Sequence, residues 1–299
     1  MANSIRPTGA LFGLPAYFSD KLGIAATGSE TRIGLGQLLF ALTFIGLGVL
    51  GLVSGQFAEV WQEVPKWLPA QVPLAYLCAA LMLACGAGLL WKPTVTLAAR
   101  VLFVYMLLWV VLLKIPPIVQ YPLIEAQWAG CGEIVVVLAG AWTLYALNAG
   151  PADRTKLGFA PGVDGIRIAR ALLVIALIFV GLEHIIYAGP TADFVPAWIP
   201  YHLFWAYFVG AAHVAAGLGI LFGVTPRLAA MLESQMMSAF TLLVWVPGFL
   251  KPQNHFQWTG FFISNALAFG MWVVADSYRG TGWLMIGMAG RNRPAAPTG

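Results

Sequence analysis

Residues 179–223 read FVGLEHIIYAGPTADFVPAWIPYHLFWAYFVGAAHVAAGLGILFG, and this stretch decides the fold. It has an apolar segment that ends at Glu183 and His184, a Trp- and Pro-rich connection, and a second apolar segment that carries His213. The pattern occurs once before, and between Val64 and Leu102 a constant offset of 131 residues leads to the later copy. The matched pairs are Pro65 and Pro196, Trp67 and Trp198, Pro69 and Pro200, Tyr76 and Tyr207, and Gly86 and Gly217. The sequence therefore predicts an internal duplication.

The composition excludes a water-soluble globule. Of the 299 residues, 60% are hydrophobic and only 9% are charged, and no soluble fold of this length hides so much apolar surface. A helix needs about 20 apolar residues to cross a bilayer. The chain has candidate spans at roughly 32–54, 74–91, 95–115, 127–148, 166–188, 203–223, 227–250 and 257–276. They lack the alternation of barrel strands, so we predict an all-α polytopic membrane protein with eight transmembrane helices.

The organisation follows from the duplication and the cationic residues. We expect two parallel four-helix repeats, at 32–148 and 166–276, since each holds an even number of spans. A linker at 149–165 joins them, with terminal segments at 1–31 and 277–299. Thirteen of the 16 Lys and Arg residues fall on one side. By the positive-inside rule, both termini are predicted to be cytoplasmic in a bacterial plasma (inner) membrane. This bias also explains the pI near 9.0, so no nucleic-acid partner is expected.

Ionisable side chains inside a membrane are candidates for function by default. The chain places five of them within its predicted spans: Glu133, Glu183, His184, His213 and Glu233. At 1.5 Å per residue, Glu183 and His184 lie about 6 Å, and Glu133 about 9 Å, from the outer helix ends. His213 lies about 15 Å below the outer end of its helix, and Glu233 about 9 Å from the inner end. Four therefore share the outer half, and we expect Glu233 in a separate inner patch with Ser234, Gln235 and Ser238.

Other kinds of site are less favoured by the sequence. A haem with two His ligands needs them at one level, but His184 and His213 differ by about 9 Å in estimated depth. A metal site formed by two His and one Glu is geometrically possible, but no HExxH or CxxC spacing is present, so no metal ion is assigned. Cys78 and Cys131 come out at similar depths, and packing as small apolar residues is favoured over a disulfide.

The FxG…VPxWxP…Tyr…Gly pattern resembles the DoxX and DoxX-like membrane proteins, which are four-helix units, here in tandem. The similarity covers roughly 32–148 and 166–276. It implies a role linked to quinol oxidation or to thiosulfate:quinone oxidoreduction, as known for some members. The residues that it carries over are Gly181, His184, Trp198, Pro200, Tyr207 and Gly210. His213 stands where many relatives are expected to have an acidic residue.

The two copies retain different polar residues. In our alignment Val49 replaces His184 and Met82 replaces His213, whereas Glu133 aligns with Ile263. A single outward-facing site is therefore favoured over two.

We expect Glu183 and His184 to accept or deliver protons at a cavity floored by His213, with Glu133 as a fourth catalytic candidate. A quinone headgroup suits such a cavity, because its oxygens need hydrogen bonds and its reduction consumes protons. We expect Tyr207 to add a hydroxyl and Trp198 to lie across the mouth of the bundle.

Structural explanations stay open for each of these residues. Glu183 and His184 are near enough to the interface to be solvated, and His213 faces a seam of glycines where it could bond a neighbouring helix. Trp198 also fits an interfacial anchor. Glu133 and Glu233 could each have structural partners.

The sequence leaves two functions open. The first is a quinone-linked membrane redox subunit, hence an oxidoreductase subunit that works with a redox partner protein. The second is a non-catalytic binding or assembly partner, or a carrier for a small apolar or lipid-like solute. Either could form homo- or hetero-oligomers.

Overall fold

A computed structural model describes residues 33–156, 158–250 and 254–286 of the chain. Within these ranges eight helices are long and apolar enough to cross a membrane. We number them α1 Leu35–Ser54, α2 Gln71–Leu89, α3 Val95–Gln120, α4 Glu125–Asn148, α5 Gly162–Ile186, α6 His202–Phe222, α7 Pro226–Leu250 and α8 His255–Asp276. No strand occurs in the described ranges, where Val224 and Ile286 form an isolated bridge. The predicted all-helical membrane fold is confirmed. The predicted segment 1–31 and most of the predicted tail lie outside the described residues.

Local signals explain where several helices begin and end. α1 and α6 each end at a glycine in the left-handed conformation, Gly55 and Gly223, which only glycine adopts without strain. α8 begins with a capping box, in which the Asn254 side chain accepts from the Gln257 backbone N–H and the Gln257 side chain accepts in return. These ends fix the lengths of the connections that cover the bundle.

The two halves repeat the same irregularities. We call α1–α4 the first unit and α5–α8 the second unit. α3 contains a π-helical turn at Val110–Lys114, and α7 contains one at Thr241–Trp245, again 131 residues later. Ala70 and Tyr201, at the same offset, are both left-handed residues before α2 and α6. These correspondences are the ones expected of a duplication, and the shared ancestry itself stays a prediction.

The units pack into one bundle through their first and last helices. α1 packs against α8, α5 packs against α4, and α4 and α8 pack against each other. At the α4–α8 crossing a Cβ on Gly140 would lie 2.8 Å from Gly270 Cα, so the backbones approach closely. Small residues commonly permit such contacts between membrane helices. Because α4 adjoins both α5 and α8, its side chains can reach the interior of the second unit.

A buried arginine on α5 contacts the residues that follow α8, at the end of the bundle where the linker between the two units lies. Arg170 of α5 is 0% exposed, and its guanidinium donates to the Ser277 backbone oxygen at 2.5 Å. The same group lies over the Tyr278 ring, 3.4 Å from its centroid. Burial raises the pKa of the Tyr278 phenol, and the neighbouring guanidinium acts in the opposite direction. Arg170, one of the thirteen Lys and Arg residues assigned to one side, therefore bonds the C-terminal end of α8.

Candidate functional site

The second unit encloses a cavity of about 290 Å³. α5, α6, α7 and α8 surround it, and α4 of the first unit closes it on the remaining side. Its mouth lies among the connections before α2 and α6, where the exposed Glu59 and Val60 border it together with Phe194. The polar side chains in its lining are Glu59, Glu133, Glu183, His184, Thr191, His213, Thr259 and Ser264.

A close crossing of α5 and α6 brings the two histidines together. A Cβ on Gly181 would lie 2.7 Å from the Gly210 oxygen, and one on Gly210 would lie 2.7 Å from the Gly181 oxygen. His184 and His213 each follow one of these glycines by three residues, about one helical turn. Because the helices run antiparallel, each histidine lies beside the other helix's glycine, and the ring centroids are 5.1 Å apart.

A buried carboxylate orients His213. Its Nδ1 is hydrogen-bonded to Glu233 Oε1 of α7, and the two side chains are 0% and 2% exposed. Its Nε2 is buried and has no hydrogen-bond partner among the described residues, although the side chain borders the cavity. His184 Nδ1 donates to the Val180 backbone oxygen at 2.8 Å, which leaves Nε2 of His184 as an acceptor. In both rings Nδ1 is therefore already hydrogen-bonded, and Nε2 is the nitrogen left to bond another group.

The position of Glu233 corrects one prediction. It was expected in a separate inner patch, but it bonds His213. α6 and α7 are joined by a short turn, so residues counted from that turn lie at similar levels. Glu233 is about 10 Å from the start of α7, and His213 about 14 Å from the end of α6. The depths of His213 and Glu233 had been counted from opposite helix ends, so the similar level of the two residues was not recognised.

The estimated depth difference of about 9 Å between His184 and His213 is also wrong. It assumed that α5 ends at the same level at which α6 begins. The glycine crossing sets the register of the two helices instead, and it brings the rings side by side.

The first unit supplies Glu133 to the cavity. Glu133 Oε2 accepts a hydrogen bond from Trp61 Nε1 at 3.3 Å, and Trp61 is itself buried. Glu133 is close enough to Glu183 and to Lys114 for their charges to act on it. Lys114 donates to the Val60 backbone oxygen at 2.8 Å and lies 3.7 Å from a Glu63 oxygen. One cation and several carboxylates thus meet where the two units join.

The structure brings four of the predicted residues into the lining of one cavity: Glu133, Glu183, His184 and His213. Their catalytic roles stay predictions. Tyr207 and Trp198, predicted as ligand contacts, do not border this cavity and are 50% and 69% exposed. Successive residues turn about 100° around a helix, so Tyr207 points away from the face that carries Ala206 and His213.

The packing also corrects the alignment of the two units. A Cβ on Gly48 would lie 2.7 Å from the Ala79 oxygen, just as one on Gly181 would lie against Gly210. Gly51, which contacts Ala79, therefore takes the position of His184 in the first unit. Val49, to which the sequence alignment gave that position, is 48% exposed and points outward.

Sequence reasoning missed several residues of the site, among them Glu59, Lys114, Trp245 and Thr259. Trp245 lies in the π-helical turn of α7 and donates to Ser264 Oγ at 2.7 Å. Its signal was available, since Trp245 and Lys114 have the same position in the two turns, 131 residues apart. The three cysteines are free thiols, and no group of three or more His, Cys, Asp or Glu side chains in the described ranges is placed to hold a metal ion.

Comparison with known proteins gives one finding. Residues 165–246 match the DoxX family model. The matched region runs from α5 through the π-helical turn of α7, and it contains Glu183, His184, His213 and Glu233. No curated protein and no solved structure matches the chain.

Proposed function

We propose that this DoxX-family membrane protein binds the headgroup of a quinone in the cavity of its second unit and exchanges protons with it. It would do so as a subunit of a quinone-linked redox system. One observation carries the proposal. The Nε2 atom of His213 is buried beside the cavity and has no partner in the part of the chain that the structure describes, while Glu233 is bonded to the other nitrogen of the ring.

The chemical role proposed for His213 is proton transfer. Reduction of a quinone to the quinol takes up two electrons and two protons, and oxidation releases them. With Nδ1–H donated to Glu233, Nε2 of His213 is an acceptor that can take a proton from a quinol hydroxyl. The Glu233 carboxylate stabilises the imidazolium so formed, as a buried carboxylate does in a hydrolase triad. His184, whose ring lies beside His213, can receive this proton in turn. Glu133, which also borders the cavity, offers an acceptor for the proton of the other hydroxyl. The electrons are proposed to pass to or from a redox partner protein.

The size and lining of the cavity support a ligand with a single ring. Ligand pockets commonly measure about 300–1,000 Å³, so a cavity of about 290 Å³ suits a headgroup better than a nucleotide. Phe194, Phe240, Trp245 and Phe256 supply aromatic surface around it. Phe194 and Phe256 each lie close to the Trp245 ring, with centroids 6.4 Å and 6.0 Å from it. An apolar ring with polar substituents matches such a lining.

We further propose that the protein resides in the bacterial plasma membrane with both termini in the cytoplasm. The excess of Lys and Arg on one side of the predicted spans supports this orientation. The mouth of the cavity, near Glu59 and Phe194, then faces the outer side, and protons exchange with that compartment.

Quinone binding to the purified protein in nanodiscs tests the proposal. A short-chain 1,4-benzoquinone is titrated, and quenching of tryptophan fluorescence gives the dissociation constant. We expect saturable binding by the wild type and at least tenfold weaker binding by His213→Ala, because the ligand loses its partner in the cavity. His202→Ala is the matched control, since His202 of α6 does not border the cavity. Absence of saturable binding by the wild type, or equal binding by His213→Ala, would overturn the proposal.

The aromatic lining also favours a second candidate, a carrier or binding protein for a small apolar solute. A site for such a solute does not require oxygen atoms on the ring of the ligand. Displacement of the quinone by naphthalene at equal affinity would favour this function over the redox function.

A further inference from the structure

Thr259 of α8 has a buried hydroxyl that its own helix does not satisfy. The side chain is 1% exposed and borders the cavity, and Oγ1 has no hydrogen-bond partner among the residues described. Thr43 and Thr241, which are also buried, donate to the backbone oxygens four residues earlier, at 2.9 Å and 3.3 Å. That bond is the usual partner of a threonine in a membrane helix. A buried hydroxyl without it is costly, and a ligand in the cavity would remove the cost.

The helix arrangement places Thr259 across the cavity from the histidines. α6 packs against α5 and α7, and α8 packs against α7 and α4. α6 and α8 therefore face each other, with His213 on one side of the cavity and Thr259 on the other. The wall between them on α7 consists of Met237, Phe240, Val244 and Trp245. His213 and Thr259 are thus separated along α7 by a largely apolar wall.

We infer that Thr259 is the second hydrogen-bonding contact for the ligand and that the site selects rings with oxygens at opposite positions. This inference rests on the proposed function and specifies the class of quinone as 1,4. One ring oxygen meets His213 Nε2 and the other meets Thr259 Oγ1. The hydroxyl serves both redox forms, because it donates to a quinone carbonyl and accepts from a quinol hydroxyl. Sites built around a hydrogen bond discriminate against analogues that lack the bonding group, since the buried protein group is then left unpaired.

The test compares an alkyl hydroquinone with the alkyl phenol that carries one ring oxygen fewer. Binding of both is measured anaerobically in nanodiscs, under reducing conditions, for the wild type, Thr259→Val and Thr259→Ser. Val keeps the shape of Thr and removes the hydroxyl, whereas Ser keeps the hydroxyl. We expect the wild type and Thr259→Ser to prefer the hydroquinone by about fivefold to tenfold. Thr259→Val is expected to lose the preference by weaker hydroquinone binding, with phenol binding unchanged.

Thr43→Val is the matched control, because it removes a satisfied threonine hydroxyl outside the cavity and should leave the preference intact. A wild type that binds both probes equally overturns the inference even if Thr259→Val does not fold. A Thr259→Val variant that keeps the preference, while His213→Ala has lost quinone binding, overturns the role of Thr259 and leaves the proposed function standing. A wild type that binds neither probe and no quinone overturns both.

Discussion

The two four-helix units share a backbone plan, yet the first unit buries apolar side chains at two positions where the second unit has a polar pair beside its cavity. Met82 and Leu102 of the first unit are buried at the positions that His213 and Glu233 occupy in the second, 131 residues later. Gly51 takes the position of His184. In the first unit Met82 and Leu102 belong to the packed apolar core. In the other, a polar pair joins α6 to α7 and leaves one nitrogen facing the cavity. The first unit therefore supports the second unit, in which we propose that the ligand binds.

The first unit nevertheless takes part in the site. Glu133 of α4 lines the cavity, and Glu59 and Val60 border its mouth. Trp61 and Lys114 hold these residues in place through bonds to Glu133 and to the Val60 backbone. The cavity is therefore a product of both units, although the imidazoles belong to one.

The largest expected effect comes from giving the second unit the side chains of the first. Glu233→Leu leaves His213 buried without its partner and should lower the free energy of unfolding by about 3 kcal/mol. The double change His213→Met with Glu233→Leu reproduces the Met82 and Leu102 pair and should restore most of that loss. Unfolding in mixed detergent micelles, followed by circular dichroism, measures both.

The double variant should also lose quinone binding, since it lacks the His213 imidazole across the cavity from Thr259. A double variant as unstable as the single one would mean that the backbone of the second unit cannot accept the packing of the first. The two units would then differ in more than their side chains.

A smaller effect is expected at the crossings of the first two helices in each unit. Gly210→Ala places a Cβ about 2.7 Å from the Gly181 oxygen, so α5 and α6 must separate. We expect a loss of about 2 kcal/mol in unfolding free energy, together with weaker quinone binding because the histidines move apart. Ala79 holds the corresponding position in the first unit. Ala79→Gly should cost about 1 kcal/mol without changing binding. Equal binding by wild type and Gly210→Ala would show that the crossing does not position the rings.

Much of this architecture could be read from the sequence, because length and hydropathy determine which segments can cross a bilayer. The eight helices followed from that constraint, and the shared level of Glu133, Glu183 and His184, which line one cavity, followed from counting along helices. Contacts between helices did not follow. The bond from His213 to Glu233 depends on the register of α6 against α7, which depth estimates from opposite ends cannot supply.

The direction in which each side chain points was the other property that the sequence did not predict. Tyr207 was assigned to the site because it lies on the same helix as His213 and could add a hydroxyl, but its side chain is exposed, as is that of Tyr76 at the common offset. Lys114 was only one of the three Lys and Arg residues outside the group of thirteen, although it is buried. A repeat identifies equivalent positions, whereas burial decides which of them face a cavity.

The smallest expected effect concerns the hydrogen bond by which the first unit holds Glu133. Trp61→Phe keeps an aromatic ring in a buried position and removes the indole N–H that donates to Glu133 Oε2 at 3.3 Å. We expect a loss of about 1 kcal/mol in unfolding free energy and a change of threefold or less in quinone affinity, because the bond is long and Glu133 keeps other charged neighbours. Trp67→Phe is the control, since Trp67 is 78% exposed and should show neither effect. If Trp61→Phe abolished binding as completely as His213→Ala, the first unit would share in recognising the ligand, and the division into a supporting and a binding unit would fail.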